Sequence, residues 1–305
     1  MKKQFLALAL TAALAGLAAS APKPVPVGDF FLIASTTGTN MGTSVMVTKA
    51  MTASYSHPKA APTGATASLD VPAGLGVGPN VPVTIQNVKG TDVSAQSELI
   101  RYWGCGEGVP KGQPEHLKHK HVGTGKTHVG GSSGTADYAK LGSITGKAPG
   151  AYLLKTSYAG NTPITLGEPQ EFLDPVAFTA PSSTMMAQVD LRKPVKLTWN
   201  KVPRAVGYSL MASGTDRATG KPCMWEAIKD GQSNWYNVGT TAGAKSGKLL
   251  PPDHLSCTIP AGIFEGSPTV SVILIAYSAD VRSAGSMNAV AWAQSTATLL
   301  LQPTP

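Results

Sequence analysis

The sequence predicts an all-β protein, and three observations carry that expectation. Gly (33) and Pro (24) make up close to a fifth of the 305 residues, against roughly 12% in an average chain. Charged residues are only 14%, too few for the Lys-, Glu- and Arg-rich outer faces of surface helices; strands joined by turns suit this composition. Apolar residues also recur at a period of two in short runs such as TASLDV, VPVTIQNV and VKLTW, the signature of half-buried strands. The expected architecture is two β-sandwich-like domains joined by a long Gly/Lys/His-rich insert.

The chain opens MKKQFLALALTAALAGLAASAPKP. Lys2 and Lys3 precede an apolar stretch of roughly a dozen residues and then small residues, which is the anatomy of a secretory signal peptide. Residues 1–20 are therefore expected to be cut off after Ser20. The apolar stretch falls short of the ~20 residues a membrane span needs, and past residue 21 no run of ~18 apolar residues occurs. An exported chain without a transmembrane span, in the periplasm or outside the cell, is the expectation. Its net charge of +8 falls by two when Lys2 and Lys3 leave. A mild positive field favours anionic partners such as an acidic polysaccharide. Nucleic acid is not an expected partner, because the chain carries no recognisable binding module.

Residues 21–104 predict the N-terminal β domain. GTSVMVTKAMTASY is rich in Val, Thr and Tyr, which suits strands. TASLDV and VPVTIQNV follow, separated by the turn residues of PAGLGVGPN. SELIRYWG, residues 97–104, reads as one further strand. Residues 105–165 hold few large apolar side chains and many Gly, Lys and His. They are expected to form a loop or insert, and a loop of that length is functional or disordered.

Residues 166–305 predict the C-terminal sandwich. Strand-like runs here are VKLTW, CMWEAI, SCTIPAG, SVILIAYSA and AVAWAQSTATLLLQ. Leu197 and Trp199 share a face at period two, so Trp199 can fill the space between two sheets. Trp292 also lies in an apolar run and is expected in the core. One internal echo spans both domains. SLDVPAGLGVGPNVPVTI from Ser68 and SCTIPAGIFEGSPTVSVIL from Ser256 share a Pro-Ala-Gly turn and a following alternating strand. The echo predicts a repeated unit of edge strand, turn and inner strand, with Pro kept to the edge.

Two resemblances follow from these residues. VKLTWNKVPRAVGYSLMA, with Trp199, Pro203, Ala205, Gly207 and Tyr208, resembles the opening strands of a fibronectin type III or related immunoglobulin-like sandwich. That fold brings no activity with it. The arrangement of the whole chain resembles a group of exported bacterial proteins. In these a YWGCGE-type strand end, here Tyr102 to Glu107, precedes a Gly/Pro-rich insert and a C-terminal sandwich. That resemblance implies no functional residue.

The one concentration of chemistry-bearing side chains is CGEGVPKGQPEHLKHKHVGTGKTH, which holds four of the six histidines. His116, His119, His121 and His128, with Cys105 and Glu107 nearby, suit copper or zinc by ligand type. Lys111, Lys118, Lys120 and Lys126 interleave with them and oppose a divalent cation, and no spacing fixes a geometry. A solvated basic loop is the leading reading, with no cofactor; a Cu or Zn site is the alternative. Protonation of these histidines is expected to strengthen contact with an anionic surface on mild acidification.

Three cysteines in an oxidising compartment allow one disulfide and leave one thiol. Cys223 and Cys257 share the C-terminal half and are the expected pair. Trp225, Trp235 and Tyr236 sit in polar surroundings and are the expected exposed aromatic platform. No catalytic residue is expected. Lys120 stands where a phosphate-binding loop ending in Gly125-Lys126-Thr127 needs a Gly. The G-x-S-x-G around Ser132 lacks the strand-to-helix context that motif requires. The functional expectation is a non-enzymatic binding or structural protein of the cell envelope. Its partner would be an anionic polysaccharide or another envelope protein.

Overall fold

The computed structural model describes residues 26–40, 45–85, 96–120, 135–216, 219–229 and 239–304; the expected signal peptide lies outside them. Among the described residues the body is built from three sheets, as the all-β expectation requires. The largest has 11 strands. Its continuous path runs β6 (Glu115–Lys120), β5 (Gln96–Trp103), β14 (Pro222–Glu226), β13 (Gly207–Thr215), β16 (Val270–Tyr277), β18 (Asn288–Pro303), β1 (Asp29–Asn40), β2 (Val45–His57), β7 (Thr135–Ser143). Two short strands, β11 (Met186–Val189) and β17 (Val281–Ala284), also pair with β18. The second sheet runs β4 (Asn80–Val83), β3 (Ala67–Asp70), β8 (Gly150–Thr156), β9 (Gly160–Leu166). The third runs β10 (Phe178–Ala180), β12 (Val195–Trp199), β15 (Ser256–Ile259). Among the described residues one short α-helix occurs, α1 (Thr240–Lys245).

The sheets do not follow the expected boundaries at 104/105 and 165/166. β1 lies beside β18 in parallel, from Asp29↔Asn288 to Thr37↔Thr296, and its other flank pairs with β2. The reason is in DFFLIAST: Phe30, Leu32, Ala34 and Thr36 are fully buried. That face joins the core, and hydrogen bonding to β18 on one flank and β2 on the other makes β1 a central strand of the large sheet. One contiguous buried cluster contains Phe30, Leu69, Tyr152, Trp199, Leu210 and Leu299, so all three sheets share a core.

The segment 105–165, expected as a loop or insert, holds four strands: β6, β7, β8 and β9. AYLLKT and TPITL alternate as strands do. Tyr152, Leu154, Ile164 and Leu166 are buried at 2% exposure or less. The Gly, Lys and His content of the segment as a whole hides this local alternation. Pro163 falls on β9, an edge strand of its sheet, where no ladder donor is missed.

The internal echo is a shared turn rather than a repeated sheet unit. Pro72 to Leu75 and Pro260 to Ile263 both plug an apolar side chain into the core, Leu75 at 0% and Ile263 at 8% exposure. Around the first turn, β3 is inner and β4 is the edge; around the second, β15 is the edge and β16 is inner in a different sheet. The first turn admits Gly146, whose N–H donates to Leu75 O at 3.2 Å. A Cβ on Gly146 would overlap the Gly74 carbonyl oxygen, so only glycine allows this approach.

Candidate functional site

SELIRYW alternates along β5. Ile100 is buried and Tyr102 packs against the core, which leaves Arg101 and Trp103 on the opposite face. β5 is held between β14, in parallel from Ile100↔Cys223 to Trp103↔Glu226, and β6, antiparallel with Arg101↔Glu115. After Glu115 the ladder is continued by a side chain: the Gln113 amide accepts from Trp103 N–H at 2.8 Å and donates to Trp103 O at 2.9 Å. Trp103 is thereby fixed at the end of its strand, partly open to solvent.

Two cations bracket its ring. Lys229 Nζ lies 4.4 Å and Arg101 Cζ 5.9 Å from the centroid. Arg101 is oriented by Glu115, with Nη2 and Nε donating to one carboxylate oxygen at 2.8 and 3.2 Å. Lys229 is exposed and has no carboxylate partner among the described residues. A cation–π contact at an exposed site contributes only about 0.5–1 kcal/mol, so its ammonium is biased toward the ring rather than locked there.

On the other face of the same strands, Glu98 receives Lys221 Nζ at 2.8 Å and lies 3.1 Å from His116 Nδ1. Lys111 lies in the connecting loop, exposed. The Tyr102 phenol is pushed above its ordinary range by burial, with smaller contributions from Cys223 and the Asp216 carboxylate, so it stays neutral. The edge can hold an anion against Lys229 and offer the Trp103 ring as an apolar contact; among the described residues it pairs no nucleophile with a base.

The structure places the expected site residues as follows. His116 is exposed and next to Glu98. The side chain of His119 and all of His121 and His128 lie outside the described residues. Cys105 is corrected from a thiolate ligand to a disulfide half: it bonds to Cys257, with Cα atoms 5.2 Å apart. Among the described residues no group of three or more His, Cys, Asp or Glu side chains is arranged to hold a metal.

The same bond corrects the expected Cys223–Cys257 pairing. The chain leaving β5 runs beside β15, with Gly106 N–H donating to Thr258 O at 3.0 Å and Ala261 N–H to Glu107 O at 3.0 Å. That course carries Cys105 to Cys257. Cys223 sits on β14 in the large sheet, buried and free, its thiol 3.6 Å from Ile263 O.

The expected aromatic platform is corrected too. Trp225 is 0% exposed, and its Nε1–H donates to Gly104 O at 3.0 Å. Its ring faces the core although Lys221, Glu226 and Lys229 flank it in sequence. Trp235 and Tyr236 lie outside the described residues. Trp199 and Trp292 are buried as expected. Trp199 meets Tyr208 edge to face at 5.7 Å, while Trp292 belongs to a small separate cluster with Leu249, Tyr277 and Val290.

Sequence reading missed Trp103 and Lys229. The period-two alternation of SELIRYW was a usable signal for Arg101 and Trp103 sharing a face; nothing in the sequence brings Lys229 to them. No family model, no curated protein and no solved structure matches this chain.

Proposed function

We propose that the protein is an exported, non-enzymatic binding or structural protein of the cell envelope, periplasmic or extracellular. It recognises an anionic polymer, such as an acidic polysaccharide, at the edge formed by β5 and β6. The observation that carries this reading is the exposed Lys229 ammonium resting 4.4 Å from the Trp103 ring centroid, with no carboxylate partner among the described residues. A passing carboxylate or phosphate can draw Lys229 from the ring at small cost and gain the ring itself as a stacking surface. The signal-like N-terminus and the Cys105–Cys257 bond both support export, since disulfides persist in oxidising compartments.

A finer fold assignment belongs to this proposal. The sheet order β10-β12-β15, with β14-β13-β16-β18 in the large sheet, supports an immunoglobulin-like or fibronectin type III-like unit. There β12 passes to β13 across the core, between Trp199 and Tyr208. In that reading β1, β2 and β7 extend the sheet from one flank, and β5 with β6 from the other.

Retention on an immobilised polyuronate tests the function. Lys229→Glu and Trp103→Ala are each expected to lower affinity at least five-fold, and raising the salt is expected to weaken binding of the unaltered protein. Unchanged retention in both variants would remove the site. Capture of another envelope protein by the same edge, lost in the same variants, would replace the polymer with a protein partner.

A further inference from the structure

β6 ends the large sheet, and among the described residues no strand lies on its outer flank. Which of its backbone groups face outward follows from β5. The N–H and C=O of Trp103 point toward β6, where the Gln113 amide meets them at 2.8 and 2.9 Å. Gly104 N–H points the other way, to Glu226 O at 2.9 Å. Odd residues of β5 therefore bond to β6, which makes Arg101↔Glu115, Leu99↔Leu117 and Ser97↔His119 the hydrogen-bonded pairs. The amides and carbonyls of His116, Lys118 and Lys120 are left pointing outward. Such a row of unused donors and acceptors is a template for one more strand.

The strand that fits is β6 itself. In an antiparallel pair with its two-fold axis at Leu117, the backbone of His116 exchanges both bonds with Lys118 of the second copy. Leu117 meets itself on the axis. Leu99 lies beside it in register, and both are half-buried, so the pairing joins two leucines from each copy into one apolar strip. Glu115 falls opposite position 119 of the copy, a histidine. On the other face Lys118 falls opposite His116 of the copy, and it already has Glu98 opposite it in its own chain. Moving the axis by one residue loses this match. Centred on Lys118, two ammonium-bearing positions oppose each other; centred on His116, Leu117 opposes Glu115.

We infer that the protein forms a two-fold dimer by pairing β6 with β6 of a second copy, which joins the two large sheets into one. The contact is isologous and closes on itself. Opposed residues of a ladder point to the same face, so both Trp103–Lys229 sites come to lie on one side of the joined sheet. The dimer is independent of the function proposed for that site; only the spanning of both sites by one long polyanion rests on it. A single short strand from each copy makes a small interface, so the dimer is weak and concentration-dependent.

Sedimentation velocity on the full chain, without any polymer, is expected to show monomer at about 1 μM and a growing share of dimer toward about 300 μM. Lys118→Pro removes an outward N–H and no bond to β5, a change that an edge strand tolerates. Leu117→Lys sets two like charges on the axis. Each is expected to raise the dissociation constant of the dimer at least ten-fold with little change in melting temperature. Cross-linking reads the register. Opposed residues that share no backbone bond lie about 4.5 Å apart at Cα, within reach of a disulfide. Leu117→Cys is therefore expected to give a covalent dimer under mild oxidation, while His116→Cys and Val109→Cys, the latter on an exposed loop, stay monomeric on a non-reducing gel. The native cysteines do not interfere, because Cys223 is buried and the other two are bonded to each other. Monomer at every concentration, growth into open-ended polymers, a cross-link through His116→Cys in place of Leu117→Cys, or an undiminished dimer in a folded Leu117→Lys would each overturn the inference.

Discussion

Cys105 and Cys257, 152 residues apart in sequence, are bonded to each other. The bond ties the end of β5, in the large sheet, to β15 in the three-stranded sheet. Cys105 is exposed and Cys257 is buried, so a reductant meets the bond from the Cys105 side. Reduction, or the double variant Cys105→Ser with Cys257→Ser, is expected to cost about 2–5 kcal/mol of stability. Urea unfolding with and without a dithiol measures it. Peptide mapping without reduction should find 105 joined to 257; a 223–257 peptide would refute the pairing.

The remaining thiol should be silent in the native state. Burial, followed by the Asp216 carboxylate, pushes Cys223 up to about 12, whereas a free cysteine ionises near 8.5. Thiol reagent at pH 8 is therefore expected to label it only after denaturation. The same shift has a sign for stability. The unfolded thiol loses its proton first as the pH rises, so this group's contribution falls as the pH rises through about 9 toward 12. Rapid labelling of the folded protein at pH 8 would contradict the burial of β14.

Trp225 should matter to folding and not to ligand contact. Truncating a fully buried Trp to Ala costs about 3–5 kcal/mol. Trp225→Phe keeps most of the apolar volume but orphans the Gly104 carbonyl, for about 1–3 kcal/mol. Thermal melts of the two variants should fall in that order.

Asp280 carries the clearest acid dependence. Burial by itself raises its carboxyl, but hydrogen bonds from Thr241 and Arg282 outweigh this and hold it below the usual range. A lowered folded value means that the stabilisation is present above the unfolded value near 3.9 and is lost as the pH falls through the folded one. The difference in urea midpoint between the unaltered protein and Asp280→Asn should therefore be larger at pH 7 than at pH 3. Equal differences at both values would mean that the charge contributes nothing.

Much of the fold was legible because alternation is a local property. VKLTW places Leu197 and Trp199 on one face, and both are buried. What a strand pairs with is not local, and there the reading failed. Nothing in DFFLIAST names β18 as its partner 259 positions away (Asp29↔Asn288). The disulfide failed for the same reason: proximity in sequence favoured Cys223, while the path of the chain after β5 favours Cys105. Trp225 looked polar because its neighbours in sequence are polar, although its neighbours in space include the Gly104 backbone. At the candidate site, Arg101 and Trp103 could be paired by parity, but Lys229 arrives from another strand's end.

The parallel pairing of β1 with β18 sets an order of events. A polypeptide made amino end first has β1 available long before β18, so the pairing in the middle of the large sheet closes late. Until Ala289 and Ala291 are made, Phe30 and Leu32 have no neighbour on that flank. Non-local pairing of this kind makes for slow closure, and the sheet's completion is timed by the arrival of β18 rather than of β1.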